Sequence, residues 1–413
     1  MISAPNHQQQ LSGNKILLIV VFGLLISACS PKIQPKSTPT PAAPEKQQEQ
    51  APVEPEAKKF KEATISMLLP FKLNQINVKA PTKAEVEKAA LAIEFYQGFM
   101  LGIDSAASSG MNFKVNVLDT RDYNAQIETF LKSPELAKSN LLVGPVYPDG
   151  QKYISNFTIA NKIPIVSPLA ASLPQEFNNP NLISIVNNIN LHVQKIGDHI
   201  NRNYNSENNV VVLINPKSSD DEVFGGPIRQ YFTTLKNKKF SFQEYASVFS
   251  MEMKVQKNKQ YIILLSSSNK SFVTASIDKL LKMQRAGLSV SLYGHPNWTK
   301  QTYPAEKLQA LNTIVSSSFK VDYRRPAVIN FVRKYRAAYQ FEPSEYAFKG
   351  YDIGLFFGGL IARSGPDFLK DMTKHNYRGL HNSFHFIHDE KFGYVNTSLM
   401  LLQYKNFALN TIE

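Results

Sequence analysis

Two loops that follow predicted strands carry residue types suited to binding a small molecule. The first, VGPVYPDG, places Gly144, Pro145 and Tyr147 between a short apolar run and a helical pattern. Glycine and proline permit a tight turn with close backbone approach, and free N–H groups at the next helix start can hold a carboxylate. We predict that these three residues contact a ligand, although ordinary strand-to-helix turns have a similar composition.

The second loop, SPLAAS, covers residues 167–172 and follows the next predicted strand. Ser167 and Ser172 supply hydroxyl groups, while the small Ala170 and Ala171 leave room for a bound molecule. Loops at the carboxyl ends of strands face clefts in α/β folds. These four residues are therefore further candidates for ligand contacts.

A third polar loop contains three consecutive acids, Asp220, Asp221 and Glu222, after a later predicted strand. A solvated loop is the simpler interpretation of this run. A contact with the amine of a ligand is the alternative, because this loop also follows the carboxyl end of a strand. The sequence leaves both interpretations open.

The sequence lacks the motifs that would indicate catalysis. It contains no GxxxxGK[ST] loop, no GxGxxG between a strand and a helix, no GxSxG and no HExxH. His381, His385 and His388 would not converge on one side of a strand. We therefore expect no enzyme activity, no catalytic residue, no bound metal and no cofactor. The crowded glycines of GLFFGG, residues 354–359, are expected to allow close helix packing.

Strand and helix patterns alternate from about residue 63 onward. Apolar runs such as ATISMLLPF, FKVNVLDT and NLLVGP are separated by helical patterns, and the alternation restarts after LISIVNN with HVQKIGDHINRNY and NVVVLIN. Strands separated by helices of this length imply right-handed βαβ units. The sequence therefore predicts an α/β fold with two parallel sheets, and an antiparallel hairpin over SFHFIHDEKFGYVNTSLMLLQY.

The charge balance is basic, with 46 Lys and Arg against 33 Asp and Glu and a formal net charge of +13. An excess of this sign attracts anionic partners. However, the basic residues are scattered, and the denser groups are pairs such as Lys238–Lys239 and Arg324–Arg325. No basic helix with interleaved aromatic residues is present, so we expect no nucleic-acid partner.

Cys29 is the single cysteine of the 413 residues and follows an apolar run. Lys15, the run from Ile16 to Ile26, and the small Ser27 and Ala28 have the order of a charged, an apolar and a processing region. An uncleaved anchor and an ordinary signal peptide are the alternatives, and a free nucleophile is disfavoured. ISAC also resembles the lipobox of bacterial lipoproteins, which implies that Cys29 carries a lipid and becomes the first residue.

The segment after Cys29 is rich in Pro, Gln, Lys and Glu and has little to bury. Such a composition is typical of a flexible tether. We therefore expect a lipoprotein signal peptide over 1–28 and a disordered tether over 29–62 that holds a folded body away from a membrane surface.

Several motifs occur in the order seen in type 1 periplasmic binding proteins of the branched-chain amino-acid-binding kind. They are LLPF…FYQGFMLGIDSA, VLDTRD, LVGPVYPDG, IPIVSPLAAS and NFVRKYRAAYQFEPSEYAFKGYDIG. The resemblance implies two Rossmann-like lobes joined by three hinge crossovers, near residues 187–190, 316–322 and 370–382. It implies that lobe 1 comprises 63–188 plus about 318–372, and lobe 2 comprises 189–317 plus about 373–413.

The resemblance also implies a ligand site between the lobes. In the family, loops matching GPVY and SPLAAS bind the carboxylate and amine of an amino acid. Loops matching INPKSSDDEVF, SSSN and YGHPNW complete the site from lobe 2, which adds Ser267, Gly294, His295 and Trp298 as candidates. The family's acid for the amine commonly follows the glycine matching Gly294, and GHPNW has none there. Trp298 is equally suited to a stacking wall and to a core.

Two functions follow from the resemblance. The first is a monomeric, lipid-anchored binding protein that faces the periplasm from the inner or outer membrane and delivers a small polar, amino-acid-like ligand to an ABC permease. The second is an envelope regulator whose binding-protein fold contacts a partner such as a peptidoglycan synthase. The retained loop residues of lobe 1 favour the first, and the missing acid of lobe 2 favours the second.

Overall fold

The computed structural model describes residues 60–234, 239–256 and 258–413. The predicted signal peptide, Cys29 and all but the last residues of the predicted tether lie outside the described residues. Within the described part of the chain, no helix has both the length and the apolar character that a membrane span requires.

Sixteen strands are described, and most are the short apolar runs expected of buried strands. In chain order they are β1 Glu62–Leu69, β2 Asn112–Asp119, β3 Leu141–Val143, β4 Ile165–Ser167, β5 Leu182–Ser184, β6 Asn209–Ile214, β7 Ser241–Tyr245, β8 Gln260–Leu265, β9 Ser289–Gly294, β10 Ile314–Ser317, β11 Tyr377–Arg378, β12 Ser383–Phe384, β13 Phe386–Asp389, β14 Gly393–Asn396, β15 Met400–Lys405 and β16 Ala408–Thr411.

Twelve α-helices connect and cover these strands in the described residues. They are α1 Lys83–Ala107, α2 Asn124–Leu131, α3 Pro134–Ala137, α4 Pro148–Asn161, α5 Ile189–Asn203, α6 Ser219–Thr234, α7 Val248–Glu252, α8 Lys270–Arg285, α9 Ala305–Ala310, α10 Pro326–Tyr339, α11 Glu345–Ser364 and α12 Leu369–Met372. The alternation of strands and helices confirms the α/β prediction.

The strands form two seven-stranded sheets, each the centre of one lobe. The sheet of lobe 1 has the order β13-β14-β5-β4-β3-β1-β2, and that of lobe 2 has the order β16-β15-β10-β9-β8-β6-β7. In both sheets the first five strands along the chain are parallel, and each sheet gains a later antiparallel hairpin. This arrangement confirms the prediction of two mainly parallel sheets.

The chain passes between the lobes at residues 185–188, 318–325 and 397–399. The first two crossovers lie where the sequence places them. The third does not, because β14 pairs with β5 and β13 pairs with β14, so that this hairpin extends the sheet of lobe 1. The prediction that 373–413 joins lobe 2 as a whole is therefore wrong for residues 386–396. Only β15 and β16 join lobe 2, where β15 pairs with β10.

Helices α1 and α11 pack so closely in lobe 1 that their backbones touch. A side chain at Gly98 would overlap the carbonyl oxygen of Ala347, and one at Gly354 would lie 2.5 Å from the carbonyl oxygen of Phe99. A side chain at Gly358 would lie 2.7 Å from the Cβ atom of Ala106. These contacts confirm the packing role for Gly354 and Gly358 of GLFFGG, whereas an added Cβ at Gly359 would meet no atom of α1.

The buried carboxylate of Asp352, on α11, holds the segment that precedes β12. It accepts hydrogen bonds from the backbone N–H groups of Leu380, His381 and Asn382 at 2.7, 2.8 and 2.9 Å. The side chain of Asn382 in turn donates to the carbonyl oxygen of Ser318 in the second crossover, at 3.3 Å. Helix α11 therefore fixes one wall of the hinge region.

We expect Gly98→Ala to destabilise the protein, because the added methyl group must push two helix backbones apart. Overpacking of this kind costs about 1–3 kcal/mol. The matched control is Gly359→Ala on α11, where the nearest atom to an added Cβ is Arg363 Nη1 at 3.8 Å. The control is expected to be neutral or stabilising by up to about 1 kcal/mol, since alanine favours a helix. Urea unfolding measures both, and equal stabilities would contradict the packing argument.

Candidate functional site

A cleft of about 650 Å³ lies between the lobes. Its walls come from both lobes and from the crossovers, as expected for a ligand site in this type of fold. Its lining includes Ala171, Ser172, Glu176, Asn187, His192, Asp220, His295, Lys300, Ser316, Ser318, Phe319, Lys349 and Asn382.

The SPLAAS loop supplies part of the cleft wall. Ala171 and Ser172 line the cleft, and Ala170 lies half-buried beside them. Ser167 is the buried last residue of β4, and its carbonyl oxygen accepts a hydrogen bond from the N–H of Ile185 at 3.2 Å. The structure therefore places Ala171 and Ser172 at the cleft, whereas Ser167 helps to join β4 to the first crossover.

The GPVY loop lies away from this cleft. Gly144 is buried with φ +90°, and a side chain there would overlap the carbonyl oxygen of Leu68. Pro145 and Tyr147 instead line a smaller groove of about 240 Å³ on lobe 1, next to Tyr123. The structure thus does not bring these three predicted contacts to the interlobe cleft; the glycine is required by a close strand-to-loop approach.

Lobe 2 contributes His295 to the cleft, but its other candidates lie behind the wall. Trp298 is fully buried in the core of lobe 2 and donates from Nε1 to the carbonyl oxygen of Ser267 at 2.9 Å. A side chain at Gly294 would overlap the ring of Trp298. Trp298 as a stacking wall is therefore wrong: the indole is a core residue that supports the loop. Ser267 lines an adjoining pocket of about 470 Å³.

The three consecutive acids of the polar loop have different surroundings. Asp221 accepts a hydrogen bond from Ser218 Oγ at 2.6 Å, and Glu222 forms an ion pair with Arg229 at 3.1 Å. Asp220 is exposed in the first turn of α6 and lines the cleft. One of the three acids is thus available to a ligand, and the other two are occupied within the lobe.

Two buried histidines stand in the cleft wall as neutral rings. Nδ1 of His192 lies 2.8 Å from Ser316 Oγ, and Nε2 lies 3.3 Å from Ser318 Oγ, which ties α5 to the second crossover. His295 Nδ1 accepts a hydrogen bond from the N–H of Asn297 at 3.0 Å. Burial lowers the pKa of His192 to about 3 and that of His295 to about 4. Near neutral pH neither ring supplies a positive charge.

Asn187, in the first crossover, has a buried oxygen with no partner. The residue is 2% exposed, and its Nδ2 donates to the carbonyl oxygen of Asn396 at 2.7 Å. Because a carbonyl oxygen can only accept, this bond fixes which amide atom is nitrogen. Oδ1 then has no hydrogen-bond partner among the described residues. An unpaired buried acceptor costs about 1–3 kcal/mol. Because Oδ1 is itself buried, a molecule in the cleft would reach it only if the crossover moved.

Sequence reasoning missed Asn187, His192, Lys300, Phe319 and Lys349 as cleft residues. The crossovers were expected near 187–190 and 316–322, and that signal could have found Asn187 and Phe319. Lys300 belongs to none of the quoted motifs, and Lys349 lies within NFVRKYRAAYQFEPSEYAFKGYDIG, which predicted a helical segment but no ligand contact. Each lysine lies at the cleft because of how distant segments pack.

Comparisons with known proteins find the same architecture among solved structures. A scan against protein-family models finds no match, and a search of curated proteins finds none either. Among solved structures, a candidate branched-chain amino acid ABC transporter protein from Rhodospirillum rubrum matches with a TM-score of 0.62 at 16% identity, over 85% of this chain and 100% of that one.

Two other solved structures match over similar lengths. An ABC transporter substrate-binding protein from Desulfitobacterium hafniense, in complex with Leu, has a TM-score of 0.52 at 13% identity, over 85% of this chain and 100% of that one. The C-domain of LpoA from Haemophilus influenzae, a regulator of PBP1A, has a TM-score of 0.54 at 13% identity over the same shares. At these identities the likeness concerns the fold alone, and the chain has the two-lobed fold of type 1 periplasmic binding proteins.

Proposed function

We propose that the protein is a lipid-anchored, extracytoplasmic binding protein that captures a small polar, amino-acid-like ligand between its lobes for import by an ABC transporter. The observation that carries this proposal is the cleft of about 650 Å³, which both lobes and the crossovers line with polar and charged side chains. Polar groups placed around such a cleft can fix the orientation of a small bound molecule.

The charged residues of the cleft support a ligand with groups of both signs. Lobe 2 contributes the exposed acid Asp220, which could pair with an amine although no acid follows Gly294. Lys300 and Lys349 supply positive charge to the same cleft. Ligand contacts with both lobes would stabilise the closed state of the hinge.

A second candidate function is that of an envelope regulator that contacts a partner protein, such as a peptidoglycan synthase. The observation that favours it is His295, which stands directly after Gly294 and is neutral because burial lowers its pKa to about 4. LpoA shares the fold and is a regulator of PBP1A. A pull-down from envelope extract that recovers a cell-wall enzyme would support this candidate, whereas recovery of a permease alone would support the importer.

For the solute-binding function, we expect one or more compounds from amino-acid, peptide and sugar panels to raise the Tm. A ligand at about 100 times its Kd adds about 2.7 kcal/mol of stability, because it binds only the folded state. Differential scanning fluorimetry of the full-length protein in detergent measures the shift.

The variant Ala171→Trp tests whether the interlobe cleft is the site. Ala171 is exposed on the cleft wall, so an indole there would occupy the cleft and remove the ligand-dependent shift. The matched control is Ala338→Trp, which adds the same ring to an exposed position of α10 outside the cleft. Panels that leave the Tm unchanged would refute solute binding, and a shift that survives Ala171→Trp would place the site elsewhere.

For the lipid anchor, we expect Cys29→Ser to release the protein from membranes, because the substitution removes the thiol that would receive the lipid. The control Ser30→Ala changes the neighbouring residue and keeps the thiol. Fractionation of cells into membrane and soluble parts measures the difference, and the Tm of the soluble variant should equal that of the wild type. A Cys29→Ser protein that stays in the membrane fraction would argue for an uncleaved anchor.

A further inference from the structure

We propose that an acidic group of the ligand, a carboxylate or a phosphate, binds between Lys300 and Lys349 over the ring of Phe319 and draws the two lobes together. We call these three residues the lysine clamp. The proposal rests on the solute-binding function proposed above and adds which chemical group of the ligand closes the cleft.

The two lysines reach the cleft from opposite lobes. Lys300 ends the 3-10 helix Pro296–Lys300, which follows β9 of lobe 2, and Lys349 lies on α11, which packs against α1 of lobe 1. Their Nζ atoms lie 5.6 and 5.1 Å from the centroid of the Phe319 ring. All three residues line the cleft. One small anion in this position would therefore contact both lobes.

The ring of Phe319 is a fixed platform for the two cations. His381 stacks on the ring with centroids 4.5 Å apart and planes 8° apart, and it lines a groove on the other side of the hinge region rather than the cleft. Phe319 also forms an isolated β-bridge with Asn382. Cation–π attraction holds an ammonium group near an aromatic face. The ring thus holds the two ammonium groups in place without removing their positive charge.

The charges of the lysine clamp do not balance. Lys349 is 8% exposed, and its Nζ donates to Glu345 Oε1 at 3.2 Å. Burial opposes ionisation of Glu345, but the charges of Lys349 and Lys300 outweigh it and lower the pKa of this carboxyl group. No carboxylate among the described residues lies within ion-pairing distance of Lys300. Two ammonium groups therefore face one carboxylate.

The two positively charged lysines repel each other, and this repulsion opposes closure of the lobes over the cleft. Burial lowers the pKa of Lys349, and the nearby charge of Lys300 lowers it further, although Glu345 opposes both effects. An anion between the two ammonium groups would replace this repulsion with two charge-assisted hydrogen bonds, which are among the stronger kind. The anion would bind best when the lobes are closed, which is the condition for a ligand to drive closure.

The two acids of the cleft lining do not supply this anion. Glu176 Oε1 accepts a hydrogen bond from the backbone N–H of Leu173 at 3.0 Å. Asp220 lies in the first turn of α6, where the N-terminal end of a helix stabilises negative charge. Neither acid forms an ion pair with Lys300 or Lys349 among the described residues, so both ammonium groups can contact an acidic group of the ligand, and exposed Asp220 can still contact an amine of the same ligand.

Matched pairs of small probes test the lysine clamp on the full-length protein in detergent. Glutarate and glutaramide differ in charge at similar size, as do O-phosphoserine and serine, so that one pair tests a carboxylate and the other a phosphate. We expect at least one acid to raise the Tm at millimolar concentration and its neutral counterpart to have little effect.

Two variants assign the effect to the clamp. Lys300 is exposed, so Lys300→Met should fold normally and weaken binding of the acid by about tenfold or more, as expected for the loss of one charge-assisted hydrogen bond. The control Lys282→Met removes the same charge from an exposed position of α8 outside the cleft and should leave binding unchanged. The double variant Lys349→Met, Glu345→Gln removes the other ammonium without leaving the half-buried carboxylate of Glu345 unpaired, and it should weaken binding of the acid as Lys300→Met does.

The outcomes separate the clamp from the function on which it rests. Shifts from acids that are lost in Lys300→Met and kept in Lys282→Met would support the clamp. If neutral probes act as strongly as acids, if Lys300→Met binds the acid unchanged, or if only non-acidic compounds of the wider panels bind, the clamp is overturned while solute binding stands. If no compound in any panel binds, solute binding fails and the clamp fails with it.

Discussion

The close contact between α1 and α11 is the constraint on which both the hinge and the cleft depend. Gly98 on α1 and Gly354 on α11 allow the two helices to approach until backbone meets backbone. Such a contact opposes sliding or rotation of α11 on lobe 1, because either motion would bring packed atoms into overlap. The side chains on the other faces of α11 are therefore held at fixed positions relative to the sheet of lobe 1.

Two of these side chains serve the region between the lobes. Lys349 and Asp352 are separated by less than one helical turn, and they point to the cleft and to the segment before β12, respectively. Asp352 accepts from three successive backbone N–H groups, and these bonds partly oppose the effect of burial, which raises its pKa to about 6. One helix thus supports the hinge region with an acid and furnishes the cleft with a cation.

Asparagine side chains also join the first and second crossovers to segments of lobe 1. Asn187 donates to the carbonyl oxygen of Asn396, and Asn396 donates to that of Ile185 at 3.0 Å, which joins the first crossover to the end of β14. Asn382 donates to Ser318 in the second crossover. Buried polar networks of this kind favour one arrangement, because a broken bond leaves an unpaired group behind. The unpaired Oδ1 of Asn187 lies within this network, where a ligand could influence the hinge.

The sequence predicted what local patterns control and missed what distant packing controls. Buried apolar runs and helical patterns gave the strands and helices, and the small residues of SPLAAS correctly marked part of the cleft wall. The hairpin over 386–396 was predicted in lobe 2 but joins the sheet of lobe 1. Both β5 and β10 end a series of parallel strands, and the alternating pattern of a hairpin fits next to either one. Trp298 was ambiguous for a similar reason: an indole suits a wall and a core alike.

The cleft has two features that favour particular groups on a ligand, and no single sequence motif predicts both of them. The buried Oδ1 of Asn187 lacks a hydrogen-bond donor, which a ligand could supply if the first crossover moved, whereas Lys300 and Lys349 attract an acid. These groups come from the first crossover, from a 3-10 helix of lobe 2 and from α11 of lobe 1. In the sequence, each lysine alone looks like an ordinary solvated surface residue. A molecule that carries a donor at one end and an acid at the other would match both features at once. A neutral ligand would leave the repulsion between Lys300 and Lys349 in place. A ligand with acidic groups alone would leave the amide oxygen of Asn187 unpaired. The need for both a donor and an acid therefore restricts the possible ligands more than the fold does.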